Sequence, residues 1–285
     1  MTSRQTAIAW HVNLPTMVGV AQPQTSPLLE SIALLTELRT ELGDLLPTMN
    51  WTAQCHADAE VPAFMQLAYG NVAAIETLAR NGLHFVVAGT AAARAAYEAV
   101  ITAAWLVWTP DLGERDRRWL SLFVDEEKFW KVAINEMVAR KRPQATIDAL
   151  REQQKRSSGI IAEVGPQLTA MGIRPAKPMP TFVDLLVELG QPHYVVYKTA
   201  TQFVHPATRG LALVRDLEAT HSNDVPVATY TCRTTERDWT TAVLLGAESI
   251  WFGLNALARC IQAPPVSSRA SGLFNEIASK VRTFA

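Results

Sequence analysis

Residues 84–108 read HFVVAGTAAARAAYEAVITAAWLVW, a run of apolar and small side chains carrying two formal charges, Arg94 and Glu98. A helix this rich in Ala and this poor in charge has no face suited to water, so it is expected at the centre of a bundle. Arg94 and Glu98 lie four residues apart, which places them on one helical face with Tyr97, Thr102 and Trp105. Charges set in such a wall must be paired or functional, because burying an unpaired charge is costly.

The flanking sequence carries helix signals in both directions. Ser26-Pro27 supplies an N-cap residue followed by proline at the first helical position. Leu28, Ile32, Leu35, Leu38, Leu42 and Leu45 then keep helical spacing to Pro47. A connection over 49–60 leads to a second helix starting at Pro62 and stopping at Asn81-Gly82. Beyond the central helix, 114–141 is amphipathic through Trp119, Leu122, Phe123, Phe129 or Trp130, Ile134 and Met137, and its aromatic residues suit a core or a dimer face. A further pattern restarts at Pro143 and ends near Gly165-Pro166. Prolines 166, 175, 178 and 180 mark 166–180 as a linker. Thr181 caps a short helix to Leu189, and Gln191-Pro192 opens another that must stop or bend at Pro206, with Leu211 to Leu217 as its extension. The run 225–232, VPVATYTC, has strand character, but without a partner strand elsewhere an ordered loop is expected. Thr235 caps a long helix through Cys260, and a last short helix surrounds Leu273 to Val281. The expected fold is all-α: a single large bundle of about eight or nine helices, formed by 26–285 and preceded by an extended N-terminal arm over 1–25.

Composition narrows the function. The chain has 285 residues, and its net charge of -1 gives no electrostatic footprint for nucleic acid, leaving RNA to local patches. One such patch is Arg140-Lys141-Arg142 with Arg151, Lys155 and Arg156, which also reads as a solvated helix end. Cys55, Cys232 and Cys260 are widely spaced and odd in number, as expected of reduced thiols in the cytoplasm. Charges such as Arg94, Glu98, Lys198 and Glu248 interrupt every candidate membrane span, so no membrane association is expected. Phosphate-cradling and dinucleotide glycine motifs, the Gly-x-Ser-x-Gly elbow, His-Glu-x-x-His and Cys-x-x-Cys are all missing from the sequence. No cofactor and no metal are therefore expected, and the trio His56, Asp58 and Glu60 lacks regular ligand spacing.

Two constellations remain. Arg94 and Glu98 form either an anion-binding pair in a cleft or a structural ion pair. His205, in the last turn before Pro206, ends a polar stripe with Tyr194, Tyr197 or Lys198, and Thr201. It can shuttle protons or simply complement a helix C-terminus. The candidate catalytic set is thus Arg94, Glu98 and His205, with Tyr97, Thr102, Tyr197, Lys198 and Thr201 as candidate ligand-binding residues.

The segment Arg94-Ala95-Ala96-Tyr97-Glu98 and the later Tyr197-Lys198-Thr199-Ala200-Thr201-Gln202-Phe203-Val204-His205-Pro206 resemble the R-x-x-Y-E and Y-x-x-x-[ST]-x-x-V-H-P helices of a bacterial all-helical domain family of unassigned activity. More remotely, an Arg and a His in a bundle resemble HEPN-type domains, which implies metal-independent ribonuclease activity in toxin or antiphage systems. The compact Arg-to-His signature of those domains has its nearest counterpart in Arg80-Asn81-Gly82-Leu83-His84, where three residues intervene and one is glycine. Three functions follow as expectations. The first is a non-catalytic binding or interaction module, homo-oligomeric or bound to a protein partner, with a buried Arg-Glu-His network. The second is a HEPN-like ribonuclease, and the third a bundle that binds a small anionic ligand.

Overall fold

The structure, a computed structural model, describes residues 26–48, 53–191, 196–198, 200–201, 216–222, 225–231, 235–260 and 266–283; side chains are left aside for His84 and for the two strands. Eight helices are described in full: α1 (Pro27–Thr48), α2 (His56–Asn81), α3 (Val86–Val107), α4 (Leu112–Ala139), α5 (Gln144–Ala170), α6 (Phe182–Glu188), α7 (Thr240–Cys260) and α8 (Ser268–Thr283). A further helical stretch covers the described part of 196–201. The all-α bundle expected from the sequence is present. The arm expected over 1–25, like His205, lies outside the described residues.

α3 is the central helix. It packs along α2 on one side and α7 on the other, while α1 closes over α2 and α7 and α8 lies on α1 and α7. Ala93, Ala96, Val100, Ile101, Ala103 and Leu106 of α3 are fully buried, and one hydrophobic cluster runs from Leu28 to Val281. Small residues set how closely these helices approach. At Gly89, an added Cβ would stand 2.4 Å from Cζ3 of Trp239. The Trp239 indole is fully buried on this gap and donates its N–H to the Leu83 carbonyl at 3.1 Å.

Local signals place most helix ends. The Ser26 hydroxyl accepts from the Leu29 N–H at 3.2 Å. Gly82 ends α2 at φ 154° and returns its N–H to the Leu78 carbonyl. Thr181 and Asp184 form a reciprocal capping box on α6. A second box, Thr235 with Asp238, caps a 3-10 turn over Glu236–Trp239 that leads into α7.

Several expectations are corrected. α2 begins at His56, with Pro62 inside it. A contact from α4 extends it upstream: the Ala57 N–H donates to the Asp116 carboxylate at 3.2 Å, and no local sequence signal encodes that cap. α5 runs through Pro166 to Ala170, so the proline-rich linker starts at Met171. Of the two aromatic residues offered for one place on the α4 stripe, Phe129 is 60 % exposed and Trp130 is the half-buried one. Finally, 225–231 is a strand: β2 (Val225–Thr231) pairs antiparallel with β1 (Asp216–Ser222), from Asp216 opposite Thr231 to Ser222 opposite Val225. The partner is the sequence immediately upstream, joined by the short link 223–224, so the helical extension expected to Leu217 gives way to β1 from Asp216. Among the described residues one segment, Glu236–Cys260, is long and apolar enough to cross a membrane by length and composition, contrary to the expectation that charges interrupt every span. Of its most apolar window, 72 % is buried inside the fold, as in a core helix.

Gly89→Ala is expected to lower unfolding free energy by about 1–3 kcal/mol, the usual cost of overpacking a filled core. Gly159→Ala, in α5 with nothing within 4 Å of the new methyl, should raise it by about 0.5–1 kcal/mol through helix propensity alone. Urea denaturation of both variants measures the contrast.

Candidate functional site

α3 presents Arg94 and Glu98 to Tyr197 from the stretch 196–201. Arg94 Nε donates to Glu98 Oε1 at 2.8 Å, and Arg94 Nη2 donates to the Tyr197 hydroxyl at 3.3 Å. That hydroxyl in turn donates to Glu98 Oε1 at 2.8 Å, closing a three-membered network. The Arg94 guanidinium also lies 5.3 Å from the centroid of the Tyr197 ring. Tyr197 is held from behind by Phe182, with ring centroids 4.3 Å apart.

The network sits at a rim, whereas burial was expected. The side chains of Arg94 and Glu98 are 20 % and 37 % exposed. Burial opposes the Arg94 charge, but the hydrogen bond and charge of Glu98 outweigh it, so the guanidinium pKa rises above its ordinary value. Burial, reinforced by the hydrogen bond to Glu98, also raises the Tyr197 phenol. Both groups therefore stay protonated at neutral pH, and neither is poised for proton transfer there.

The other sequence candidates disperse. Tyr97 is fully buried, its ring 6.4 Å from that of Tyr197 between centroids; among the described residues its hydroxyl has no hydrogen-bond partner. Burial first, and then the charge of Glu248, raise its pKa. Thr102 and Thr201 donate to carbonyls of their own helices, Glu98 at 2.9 Å and Tyr197 at 3.0 Å. Lys198 is exposed. Arg80 at the end of α2 donates to the Thr36 hydroxyl at 3.3 Å. Burial pushes the Cys55 and Cys260 thiols up to about 12, so neither is a thiolate nucleophile near neutral pH.

His56, Asp58 and Glu60 take separate partners on α4. His56 Nδ1 lies 3.1 Å from the Asp116 carboxylate and its ring stacks on Trp119. Asp58, 1 % exposed, accepts from Arg115 at 2.9 Å, and Glu60 accepts from the Trp119 indole at 3.3 Å. Among the described residues, no group of three or more His, Cys, Asp or Glu is placed to hold a metal. In the basic run, Arg140 and Arg151 pair with Glu136 and Asp148 on their own helices.

Two features escaped sequence reading. The first is Glu248 on α7, 3 % exposed, whose carboxyl is pushed up to about 8 by burial. In the sequence it is the one carboxylate between Thr240 and Cys260, a feature that argues only against a membrane span. The second is a cleft of about 630 Å³ between the first turns of α4, the C-terminal end of α3, α6 and the segment 172–180. Arg118 forms its floor, donating to the Trp105 carbonyl at 2.6 Å and to Glu188 at 2.7 Å, while Glu188 also accepts from the Trp105 indole at 3.0 Å. Arg117 forms a two-bond fork with Glu114; this hydrogen bonding lowers the Glu114 carboxyl and raises the Arg117 guanidinium. Four separate segments meet here, so no local spacing announced it.

Glu98→Ala is expected to lower stability by about 1 kcal/mol, as for a partly exposed pair, below the roughly 3–5 kcal/mol that breaking a buried pair would cost. Chemical denaturation distinguishes the two. For Glu248, a folded pKa above the unfolded value favours folding while the acid is protonated. That contribution is complete below about 4.5 and is lost as pH rises through about 8. Glu248→Gln should therefore gain stability relative to the parent as pH rises from 5 to 9, by on the order of 4 kcal/mol in total. Melting curves across that range test the sign. Comparison with family models, with curated proteins and with solved structures gives no match for this chain.

Proposed function

We propose that this chain is a non-catalytic binding module, a helical scaffold that recognises a ligand or partner without transforming it. The closed Arg94–Glu98–Tyr197 network supports this reading best. Its guanidinium, phenol and carboxylate satisfy one another at 2.8–3.3 Å. Such an arrangement ties α3 to the stretch 196–201 through one oxygen of Glu98. A general base needs a free lone pair near the proton it removes and a pKa near the working pH. Arg94 and Tyr197 meet neither condition, and the accepting oxygen of Glu98 already takes two donors.

The competing ribonuclease reading predicts turnover. Labelled single-stranded and hairpin RNA incubated with the purified protein, with magnesium and with chelator, is expected to remain intact. Cleavage that disappears in Arg94→Ala or His205→Ala would overturn the module reading.

A further inference from the structure

We propose that the cleft between the first turns of α4 and the segment 172–180 binds a small phosphorylated molecule of nucleotide size, its phosphates held by Arg174 and Lys177. The inference rests on the binding-module reading and names the ligand class. At about 630 Å³ the cleft falls within the range of small-molecule sites.

The charges are arranged for an anion. Arg117 and Arg118 on the α4 side are already engaged by Glu114 and Glu188. Arg174 and Lys177, on the opposite rim, are exposed and have no ion-pair partner among the described residues. With Asp111, Glu114 and Glu188 also lining the cleft, four cations face three carboxylates, a net of one positive charge, and Arg174 and Lys177 share one side.

The rim is held in shape. Gly172, at φ 78°, turns the chain out of α5, and the Ile173 N–H returns to the Leu168 carbonyl at 2.9 Å. Ile173 then seats on Gly113, where an added Cβ would come within 2.8 Å of its Cδ1. The far end is fixed by the capping box at Thr181. Pro175, Pro178 and Pro180 restrict φ between these anchors. In an extended, proline-rich chain with about three residues per turn, the spacing of Arg174 and Lys177 puts both on one edge, and both line the cleft. The backbone that carries the two cations is thus ordered before binding, and the cost that remains is the rotamer freedom of the two side chains. The proline rings and Ile173 supply apolar surface for the rest of the ligand, which favours a phosphate ester over a bare inorganic anion.

Isothermal titration of the full chain with adenosine 5′-diphosphate, and in parallel with citrate, tests the proposal. Saturable binding of the diphosphate is expected, with citrate at least about tenfold weaker. Arg174→Gln/Lys177→Gln should weaken diphosphate binding by about tenfold or more, the scale of losing charge-assisted contacts. Both positions are exposed, so the melting temperature should hold; Arg151→Gln on α5 should bind like the parent. No binding of the diphosphate, equal affinity for citrate, or undiminished binding by the double variant overturns the proposal. The two readings fail separately. Release of phosphate from the diphosphate would overturn the module and leave the cleft standing, whereas absence of binding would remove the cleft and leave the module.

Discussion

The approach of α3 to its neighbours governs this structure. A helix carrying Gly89, Ala93, Ala96, Ala103 and Ala104 at buried positions lets α2 and α7 come close along its length. Close approach leaves little room for adjustment, because protein interiors are packed to crystal-like density. Trp239, a large and fully buried side chain from the turn before α7, needs Gly89 of α3 as its seat. The charged groups of α3, Arg94 and Glu98, lie at the rim, and Thr102 bonds to its own backbone.

Around this core, guanidinium–carboxylate pairs connect helices whose apolar contact is slighter. Arg115 with Asp58 ties α4 to α2, Arg118 with Glu188 ties α4 to α6, and Arg39 with Glu76 ties α1 to α2. Each links segments far apart in sequence. The more buried of them, Arg115–Asp58 and Arg39–Glu76, fix register more than they add stability, since desolvation offsets most of their attraction. The cleft is a by-product of the same arrangement: the pairs that hold α4 and α6 in place also line it.

The helices were legible because their signals are local. Apolar spacing, Ser26-Pro27, Asn81-Gly82 and the Thr181 box each act within a few residues. The start of α2 was missed because its cap is a side chain on α4, and the hairpin because its partner strand was sought at a distance. The link between Arg94 and Glu98 could be read from a four-residue spacing, but their exposure depended on neighbours that spacing does not identify. Tyr197 was recognised as a polar residue on a stripe; its bond to Glu98 required the fold. The cleft was illegible for the same reason, since Arg118, Ile173, Lys177 and Glu188 meet only after four segments have packed.

The Glu248 carboxyl couples folding to solvent protons. In the unfolded chain this group is ionised at neutral pH, whereas inside α7 it holds its proton up to about 8. Folding near pH 7 therefore takes up about one proton at this position. The heat of folding must then include the ionisation heat of whichever buffer donates that proton. A buffer's identity, normally incidental to a helical bundle, becomes part of this protein's calorimetry.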